Sequence, residues 1–309
     1  MEKKTNYLLL VLRGCAMGAA DVIPGVSGGT IAFITGIYEE LIESIRSINL
    51  HALRLLVSFK FKEFWKHING NFLIAVVAGI AISIFSLAKL MKYLLETHPL
   101  YIWSFFFGLI IASALLVSKE VKKWDLFSIT SLVVGAVVGY TITILTPTST
   151  PETWWFILLS GAIAICAMIL PGISGAFILL LLGKYEYIIT AVSEFNIGIL
   201  LIFLVGAVAG IISFSHLLSW LLKNYHGLTV ALLTGFMVGS LNKIWPWKLT
   251  DTELINGSPF EIERNVLPGA FEQAGNDPLT WQVLLMCLIG FLLIWGIERL
   301  AETLQPKTK

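Results

Sequence analysis

Charged residues are scarce in this 309-residue chain: Lys, Arg, Asp and Glu together make up 13% of it, against roughly 25% in soluble domains. Hydrophobic residues make up 57%, and the mean hydropathy is +0.84. One aqueous core cannot bury so many apolar side chains, because a single core stops growing beyond roughly 250–300 residues. The composition therefore excludes a soluble protein and predicts a helical protein that crosses a membrane several times.

The sequence also lacks a strong net charge, paired cysteines and catalytic motifs. A net charge of +1 provides no surface for the phosphates of a nucleic acid. Cys15, Cys166 and Cys287 lie in apolar segments without the spacing of a metal or redox site, so we expect small hydrophobic side chains there. The sequence contains no Cys–His dyad, serine elbow or carboxylate cluster. We therefore expect neither an enzyme nor a bound metal or cofactor.

Long apolar runs are what the sequence has in abundance. Six of them are close to the ~20 helical residues that cross a hydrocarbon core of about 30 Å. Two further apolar regions, 7–48 and 154–195, are interrupted by a Pro-Gly step and carry charges in their second arms. The six uninterrupted runs are 72–95, 100–117, 126–145, 197–222, 228–245 and 281–300.

Lys and Arg are unevenly distributed between the connections, and this distribution predicts the orientation. Thirteen of them fall in the two termini and in the connections on the same side, whereas only Lys243, Lys248 and Arg264 fall on the other side. The connection 246–280 on that other side is also acidic. We therefore expect both termini in the cytoplasm and the 246–280 loop outside.

The two interrupted regions are copies of one pattern. A shift of 127 residues further along aligns Gly79 with Gly206 and Gly108 with Gly235. Within the interrupted regions, a shift of 147 aligns eight identical residues of a twenty-residue window, namely Ala20, Pro24, Gly25, Ser27, Gly28, Gly36, Tyr38 and Glu39 with Ala167, Pro171, Gly172, Ser174, Gly175, Gly183, Tyr185 and Glu186.

This duplication predicts an all-α polytopic membrane protein built from two repeats, 1–147 and 148–309. Each repeat consists of a Pro-Gly-broken helical hairpin followed by three transmembrane helices. Because the number of crossings per repeat is odd, the second repeat should be inverted relative to the first. Inverted repeats are typical of transporters with a site near the bilayer midplane. A duplication that serves folding alone is the alternative.

The interruptions read IPGVSGGT at 23–30 and LPGISGAF at 170–177. Proline removes a backbone donor and glycine permits positive φ, so each helix should end there. A break at membrane depth has to line a cavity or lie within protein. Ser27 and Ser174 then fit the N-cap of the next helix, where N–H groups without helical partners can bind an anion.

The second arm of each interrupted region favours re-entry over a full crossing. In the first region, eight residues of this second arm contain Glu39, Glu40, Glu43 and Arg46, and a full crossing would place several of them in hydrocarbon. Two hairpins that re-enter from opposite faces would bring their Ser-Gly tips together near mid-bilayer.

Charged residues near the breaks are candidates for substrate or ion binding. Asp21 is the deepest acid, which predicts a proton or cation site; a capping or salt-bridge role is the alternative. Arg13 and Lys184 lie one toward each face and fit either phosphate ligands or snorkelling side chains. Glu39 and Glu186, each preceded by a tyrosine, fit either ion coupling or an interfacial anchor.

At GAADVIPGVSGGT (18–30) and again at MILPGISG (168–175), the sequence resembles the bacterial polyprenyl-phosphate transporter family (PopT-type). The resemblance covers nearly the whole chain. It implies a multi-pass protein of the bacterial cytoplasmic membrane that returns undecaprenyl phosphate from the outer to the inner leaflet. This lipid carries cell-envelope polymers such as peptidoglycan, and its return implies a coupling cation or proton.

The residues and the resemblance together give a charge-relay hypothesis. Lys184 captures the phosphate outside and Arg13 releases it inside, while Asp21 exchanges a cation or proton, with Glu39 and Glu186 as further candidates. An ion-coupled transporter of a small soluble anion is the alternative, and a lipid pyrophosphatase would need a nucleophile or base that no motif supplies. The predicted phosphate site at the tips consists of Gly25, Ser27, Gly28, Gly172, Ser174 and Gly175.

Overall fold

A computed structural model describes residues 6–21, 27–148, 150–255 and 258–304. Within these ranges the first half of the chain is helical. Its helices are α1 (Tyr7–Asp21), α2 (Gly28–Ile34), α3 (Tyr38–Arg46), α4 (Leu50–Val57), α5 (Phe61–His67), α6 (Gly70–Thr97), α7 (Pro99–Ser118) and α8 (Leu126–Ile144).

The second half repeats this order and adds a small hairpin of two strands before the last long helix. The elements are α9 (Trp154–Ile169), α10 (Gly175–Leu181), α11 (Tyr185–Ser193), α12 (Ile197–Asn224), α13 (His226–Ser240), β1 (Lys248–Ile255), β2 (Ser258–Asn265), α14 (Pro268–Gln273) and α15 (Thr280–Leu304).

Four helices, α6, α7, α8 and α12, are long and apolar enough to cross a membrane, and a fifth span results if α10 and α11 count as one. The helices α9 and α13 and the apolar part of α15, Thr280–Gly296, are shorter. The helix predicted over 228–245 ends at Ser240, because the chain turns after it and Asn242 donates to the Thr143 hydroxyl (2.8 Å). The molecule is a multi-pass membrane protein.

The antiparallel strands β1 and β2 depart from the predicted all-helical fold. They pair from Lys248 with Asn265 to Ile255 with Ser258. The sequence carried a local signal for this hairpin in the dipeptide Asn-Gly at positions 256 and 257, which is typical of hairpin turns.

Two repeated glycines mark the turn that closes each broken region. Gly36 (φ +69°) lies between α2 and α3, and Gly183 (φ +60°) lies between α10 and α11. This left-handed backbone is open to glycine at little cost. The helices α10 and α11 meet at 111°, so the second arm does not continue straight.

Each broken region returns toward the segment from which it starts. At the beginning of α6, Asn71 donates to the Tyr7 hydroxyl (3.4 Å) and Asn69 donates to Glu40 (3.0 Å), so the first residues of α1 and α3 lie close together. In the second region, the backbone N–H of Thr148, which precedes α9, donates to the carbonyl at the end of α10 (3.0 Å). Both regions are therefore hairpins.

The same helix pairs pack in both halves. Helix α1 packs along α6 and α9 along α12, while α7 packs on α15 and α13 on α8. At Gly79 the backbone approaches the Val11 carbonyl so closely that a Cβ would collide with it, and at Gly206 the collision would be with the Leu158 carbonyl. Val11 and Leu158 are related by the shift of 147, so the glycines aligned in the sequence occupy equivalent contacts.

A methyl group at Gly108 tests this close packing. Its Cβ would collide with the Cys287 carbonyl of α15, a backbone atom that cannot move without displacing the helix. We expect Gly108→Ala to destabilise the purified protein by about 1–3 kcal/mol in thermal unfolding. The control Gly227→Ala, where a Cβ meets open space, should not. Equal loss of stability in both variants would contradict the packing described.

Candidate functional site

Ser27 and Ser174 cap the short helices that follow the two breaks, as the sequence predicted. The Ser27 hydroxyl accepts from the N–H of Gly29 (3.1 Å), and the Ser174 hydroxyl accepts from the N–H of Phe177 (3.4 Å). Gly25, the remaining predicted site residue of the first break, lies outside the described residues.

The first hairpin supplies hydrogen-bond partners to the break in the second. Where α9 ends, its last carbonyls lack helical donors. The Ser27 hydroxyl donates to the Met168 carbonyl (3.0 Å), and the Tyr38 hydroxyl donates to the Ile169 carbonyl (3.3 Å). This confirms that the two breaks meet.

A third contact runs in the opposite direction across the same interface. The N–H of Gly172, whose φ is +84°, donates to the hydroxyl of Thr30 (3.0 Å). Ser27 and Thr30 are fully buried, and a buried backbone group without a partner costs about 1–3 kcal/mol. The contact is therefore built from backbone groups that the second break sets free and from hydroxyl groups of the first hairpin.

The Asp21 carboxylate occupies the acceptor position in front of α2. Its Oδ1 accepts from the N–H of Gly28 at 2.6 Å. A Cβ on Gly28 would lie 2.5 Å from Oδ2, and a Cβ on Gly29 would collide with the Ile169 carbonyl. The backbone of the opposite break thus requires glycine at position 29, whereas a side chain at position 28 would have to displace the Asp21 carboxylate.

Lys184 lies among the residues that surround the start of the second hairpin. Its side chain is 2% exposed, and its Nζ donates to the Thr150 carbonyl (2.8 Å). The rings of Phe156 and Tyr187 lie 5.7 Å from the same Nζ. Within the described residues no carboxylate forms a salt bridge with Lys184, so this buried ammonium has a neutral partner.

Three further predicted charged residues, Arg13, Glu39 and Glu186, form their contacts away from the breaks. Arg13 is half-buried in α1, near enough to Glu40 for electrostatic attraction. Glu39 pairs with His226 at 3.0 Å, and Glu186 is exposed on α11. In the part of the chain that the structure describes, no hydrogen bond or ion pair joins these residues to the two breaks.

The sequence interpretation missed Thr30 and Tyr38. Thr30 lies within the first motif, but its counterpart in the second motif is Phe177. The comparison of the two copies therefore gave no sign that a hydroxyl group is needed at this position. Tyr38 was open to interpretation as an interfacial anchor, and this is wrong because the residue is 2% exposed and contacts the opposite break. Its counterpart Tyr185 is 40% exposed, so the two copies have diverged here.

Polar contacts join α3 to the end of α12. Glu43 accepts from Lys223 (2.8 Å) and Arg46 (2.9 Å) through Oε1, and from the Ser219 hydroxyl (2.7 Å) through Oε2. We call Glu43, Arg46, Ser219 and Lys223 the Glu43 cluster. A cavity of about 680 Å³ lies beside it. The corresponding pair of helices, α11 and α6, shows no packing of comparable extent among the described residues.

Comparisons with known proteins agree with one another. Residues 17–260 match the model of the VCA0040-like family, described as undecaprenyl phosphate translocase-like. A polyprenyl-phosphate transporter of Vibrio cholerae is 50% identical over 304 residues, covering 97% of this chain and 99% of its own. One of Staphylococcus aureus is 35% identical over 254 residues, covering 76% and 85%. No solved structure matches.

The two capping serines provide an internal comparison for the contact between the breaks. Ser27→Ala removes a cap, worth about 0.5–2 kcal/mol, and also the donor to the Met168 carbonyl, worth about 1–3 kcal/mol. Ser174→Ala removes a cap alone. We expect Ser27→Ala to lower the unfolding temperature of the purified protein more than Ser174→Ala. Equal shifts would mean that the Ser27–Met168 bond contributes nothing.

Proposed function

The chain belongs to the undecaprenyl phosphate translocase-like family, and from this premise we propose that it is a flippase that returns undecaprenyl phosphate from the outer to the inner leaflet. The observation that carries the proposal is the hydrogen-bonded contact between the two breaks. Such a contact supplies polar groups inside an apolar protein, as a phosphate headgroup requires. The prenyl tail stays in lipid throughout.

The proposal includes an inverted orientation of the two repeats. Helix α6 begins beside α3, where Asn69 contacts Glu40, and α12 ends beside α3, where Lys223 contacts Glu43. Because α6 and α12 correspond in sequence, these contacts support opposite directions across the membrane. The two hairpins then re-enter from opposite faces, and the distribution of Lys and Arg puts α3 and both termini at the cytoplasmic face of the bacterial inner membrane.

At the breaks, phosphate binding and the charge of Asp21 are coupled. The N–H of Gly28 that a phosphate would use already donates to the Asp21 carboxylate. Two anions cannot share this buried donor, because their repulsion in a low-dielectric interior is strong. The phosphate therefore displaces the carboxylate, which takes up a proton or a cation. The receiving groups are those of Ser27, Gly28, Gly172, Ser174 and Gly175, with Gly25 in the same motif.

Lys184 and Arg13 act at the two ends of this path. A buried charge is normally paired, whereas within the described residues Lys184 donates to a carbonyl, lies beside two aromatic rings and is attracted by Glu152 without forming a salt bridge with it, so a phosphate would supply a counter-charge in direct contact. Arg13, attracted to Glu40, receives the phosphate on the cytoplasmic side. Glu39 and Glu186 flank the two exits as further ion-coupling candidates.

The alternative cargo, a small soluble anion, is disfavoured by the large cavity beside α3. That cavity is lined by three carboxylates, those of Glu39, Glu40 and Glu43, against one lysine, Lys223, and two histidines, His67 and His226, so that acids outnumber permanently charged bases. An acidic vestibule repels a soluble anion. A lipid phosphate that approaches from the bilayer does not have to enter it.

The packing around α3 and α11 indicates which side is closed. Helix α3 packs on α12 through the Glu43 cluster, and α11 does not pack on α6 to a comparable extent among the described residues. In an inverted repeat the two contacts exchange when access alternates between the faces. With the proposed orientation, this difference in packing supports a state that is closed toward the cytoplasm.

The transport proposal is tested by the amount of undecaprenyl phosphate exposed at the outer leaflet, measured in cells with a reagent that binds its headgroup. We expect more exposed lipid on deletion and in Asp21→Asn, since a neutral side chain cannot exchange a proton or cation. Asp125→Asn is the matched control, because Asp125 also caps a helix, accepting from Ser128 (2.8 Å), but lies far from either motif in sequence.

No change on deletion, in a strain without a second transporter, would contradict lipid transport. Normal lipid levels in Asp21→Asn with normal expression would contradict coupling through Asp21.

Alternating access is tested by cross-linking in a background with Cys15, Cys166 and Cys287 replaced by serine. Glu43→Cys with Ser219→Cys ties α3 to α12, and oxidation should stop transport until a reductant is added. The repeat-equivalent pair is Lys92→Cys with Thr190→Cys, which should cross-link only when substrate drives the exchange. Transport that continues with positions 43 and 219 cross-linked would contradict this mechanism.

A further inference from the structure

Two lysines converge on one carboxylate at the base of the strand hairpin. Lys243 follows α13 and Lys248 begins β1, and their Nζ atoms lie 2.9 Å and 3.0 Å from the same oxygen, Oε2 of Glu263. We call these three residues the dilysine cluster. One carboxylate balances only one of the two ammonium groups, so the cluster carries a residual charge of about +1 at neutral pH.

The cluster is built into the fold and is not a chance surface pair. The Lys248 side chain is 7% exposed, donates to the Lys243 carbonyl (2.6 Å) and lies 3.9 Å from the centroid of the Trp103 ring. Burial lowers the pKa of Lys248 to about 8, an effect that Glu263 opposes and Lys243 reinforces. Because burial and mutual repulsion both disfavour two charged lysines here, an anion that contacts both ammonium groups stabilises them.

The cluster lies next to the second break. The Lys243 Nζ lies 4.9 Å from the centroid of the Phe177 ring. Phe177 is in the first turn of α10, and its N–H donates to the Ser174 hydroxyl. The side chain of Asn265 fixes β2 to the end of α13 by donating to the Asn242 carbonyl (2.6 Å), which holds Glu263 and the lysines in register.

We propose that the dilysine cluster is the outer recognition site for a phosphate monoester headgroup, with Glu263 holding the two lysines together until the phosphate arrives. The inference rests on the proposed function and deepens it. A phosphate monoester carries about −1.5 to −2 charges at pH 7 and three acceptor oxygens, so it can bridge both ammonium groups. The phosphodiester of an ordinary phospholipid carries a single charge and is bound less well.

Glu263 separates recognition from a purely structural role of the cluster. If the cluster only fastens the strand hairpin, Glu263→Gln removes both ion pairs and Lys243→Gln removes one of them, and neither variant affects phosphate affinity beyond lost stability. If the cluster binds phosphate, the two variants act in opposite directions, since Glu263 competes with the phosphate and Lys243 binds it.

The test measures binding of radiolabelled undecaprenyl phosphate to the full-length protein in nanodiscs of phosphatidylcholine. We expect at least tenfold weaker binding in Lys243→Gln, near-normal binding in Lys243→Arg and severalfold tighter binding in Glu263→Gln. Arg264→Gln is the matched control: it removes one positive charge from the same hairpin at a side chain that is 68% exposed and 3.8 Å from its partner Asp251. Its affinity should stay within twofold of wild type.

Competition identifies the phosphate source. Phosphatidylglycerol should compete poorly, and inorganic phosphate should compete only at much higher concentration than unlabelled undecaprenyl phosphate. Equal competition by inorganic phosphate would overturn the assignment to a lipid, and equal competition by phosphatidylglycerol would overturn the preference for a monoester.

Thermal unfolding of each variant keeps the comparison interpretable. Unchanged affinity in a folded Lys243→Gln, or weaker binding in a folded Glu263→Gln, would overturn the inference. In either case, the predicted increase of exposed undecaprenyl phosphate in Asp21→Asn cells would still support the proposed function. A wild-type protein that does not bind undecaprenyl phosphate would contradict the function itself.

Discussion

A helix that stops inside an apolar protein leaves backbone groups that must find partners, and the rest of this molecule depends on how that requirement is met. Among the described residues, the first break is capped within its own hairpin by Asp21 and Ser27, whereas the second break is not satisfied by its own hairpin alone. The carbonyls of Met168 and Ile169 and the N–H of Gly172 are paired by Ser27, Tyr38 and Thr30 of the other repeat. The first hairpin thus completes the hydrogen bonding of the second, which makes one buried polar contact of the two breaks, and packed glycines hold the long helices around it.

The same requirement explains how the contact can serve transport. The hydrogen bonds that join the two breaks each pair a backbone group with a side chain, and side chains can exchange partners without unfolding a helix. Asp21 is the clearest case, because its carboxylate occupies a donor that a phosphate could use. A site that is fully paired when empty pays no penalty for an unsatisfied buried group, and an incoming phosphate can still replace the internal acceptors one at a time.

Much of this arrangement could be predicted from the sequence, because helix breaks have local causes. Pro-Gly followed by Ser-Gly fixed the breaks and both caps, and the repeat spacing predicted which glycines occupy equivalent contacts. Contacts across the interface had no such local signal. Thr30 is replaced by phenylalanine in the second copy, and Tyr38 looked like an interfacial anchor until its burial was known. The dilysine cluster was invisible for the same reason, since the strand hairpin that brings Lys248 within reach of Glu263 was taken for a loop.

The central claim is that the phosphate binds between the two breaks in place of the Asp21 carboxylate. The most direct measurement is a cryo-electron microscopy structure of the protein with bound undecaprenyl phosphate in the occluded state. The account predicts phosphate oxygens within hydrogen-bond distance of the Gly28 N–H and the Ser27 hydroxyl, with the bond between Asp21 and Gly28 broken. A phosphate held elsewhere, with that bond intact in every state along the transport cycle, would contradict it.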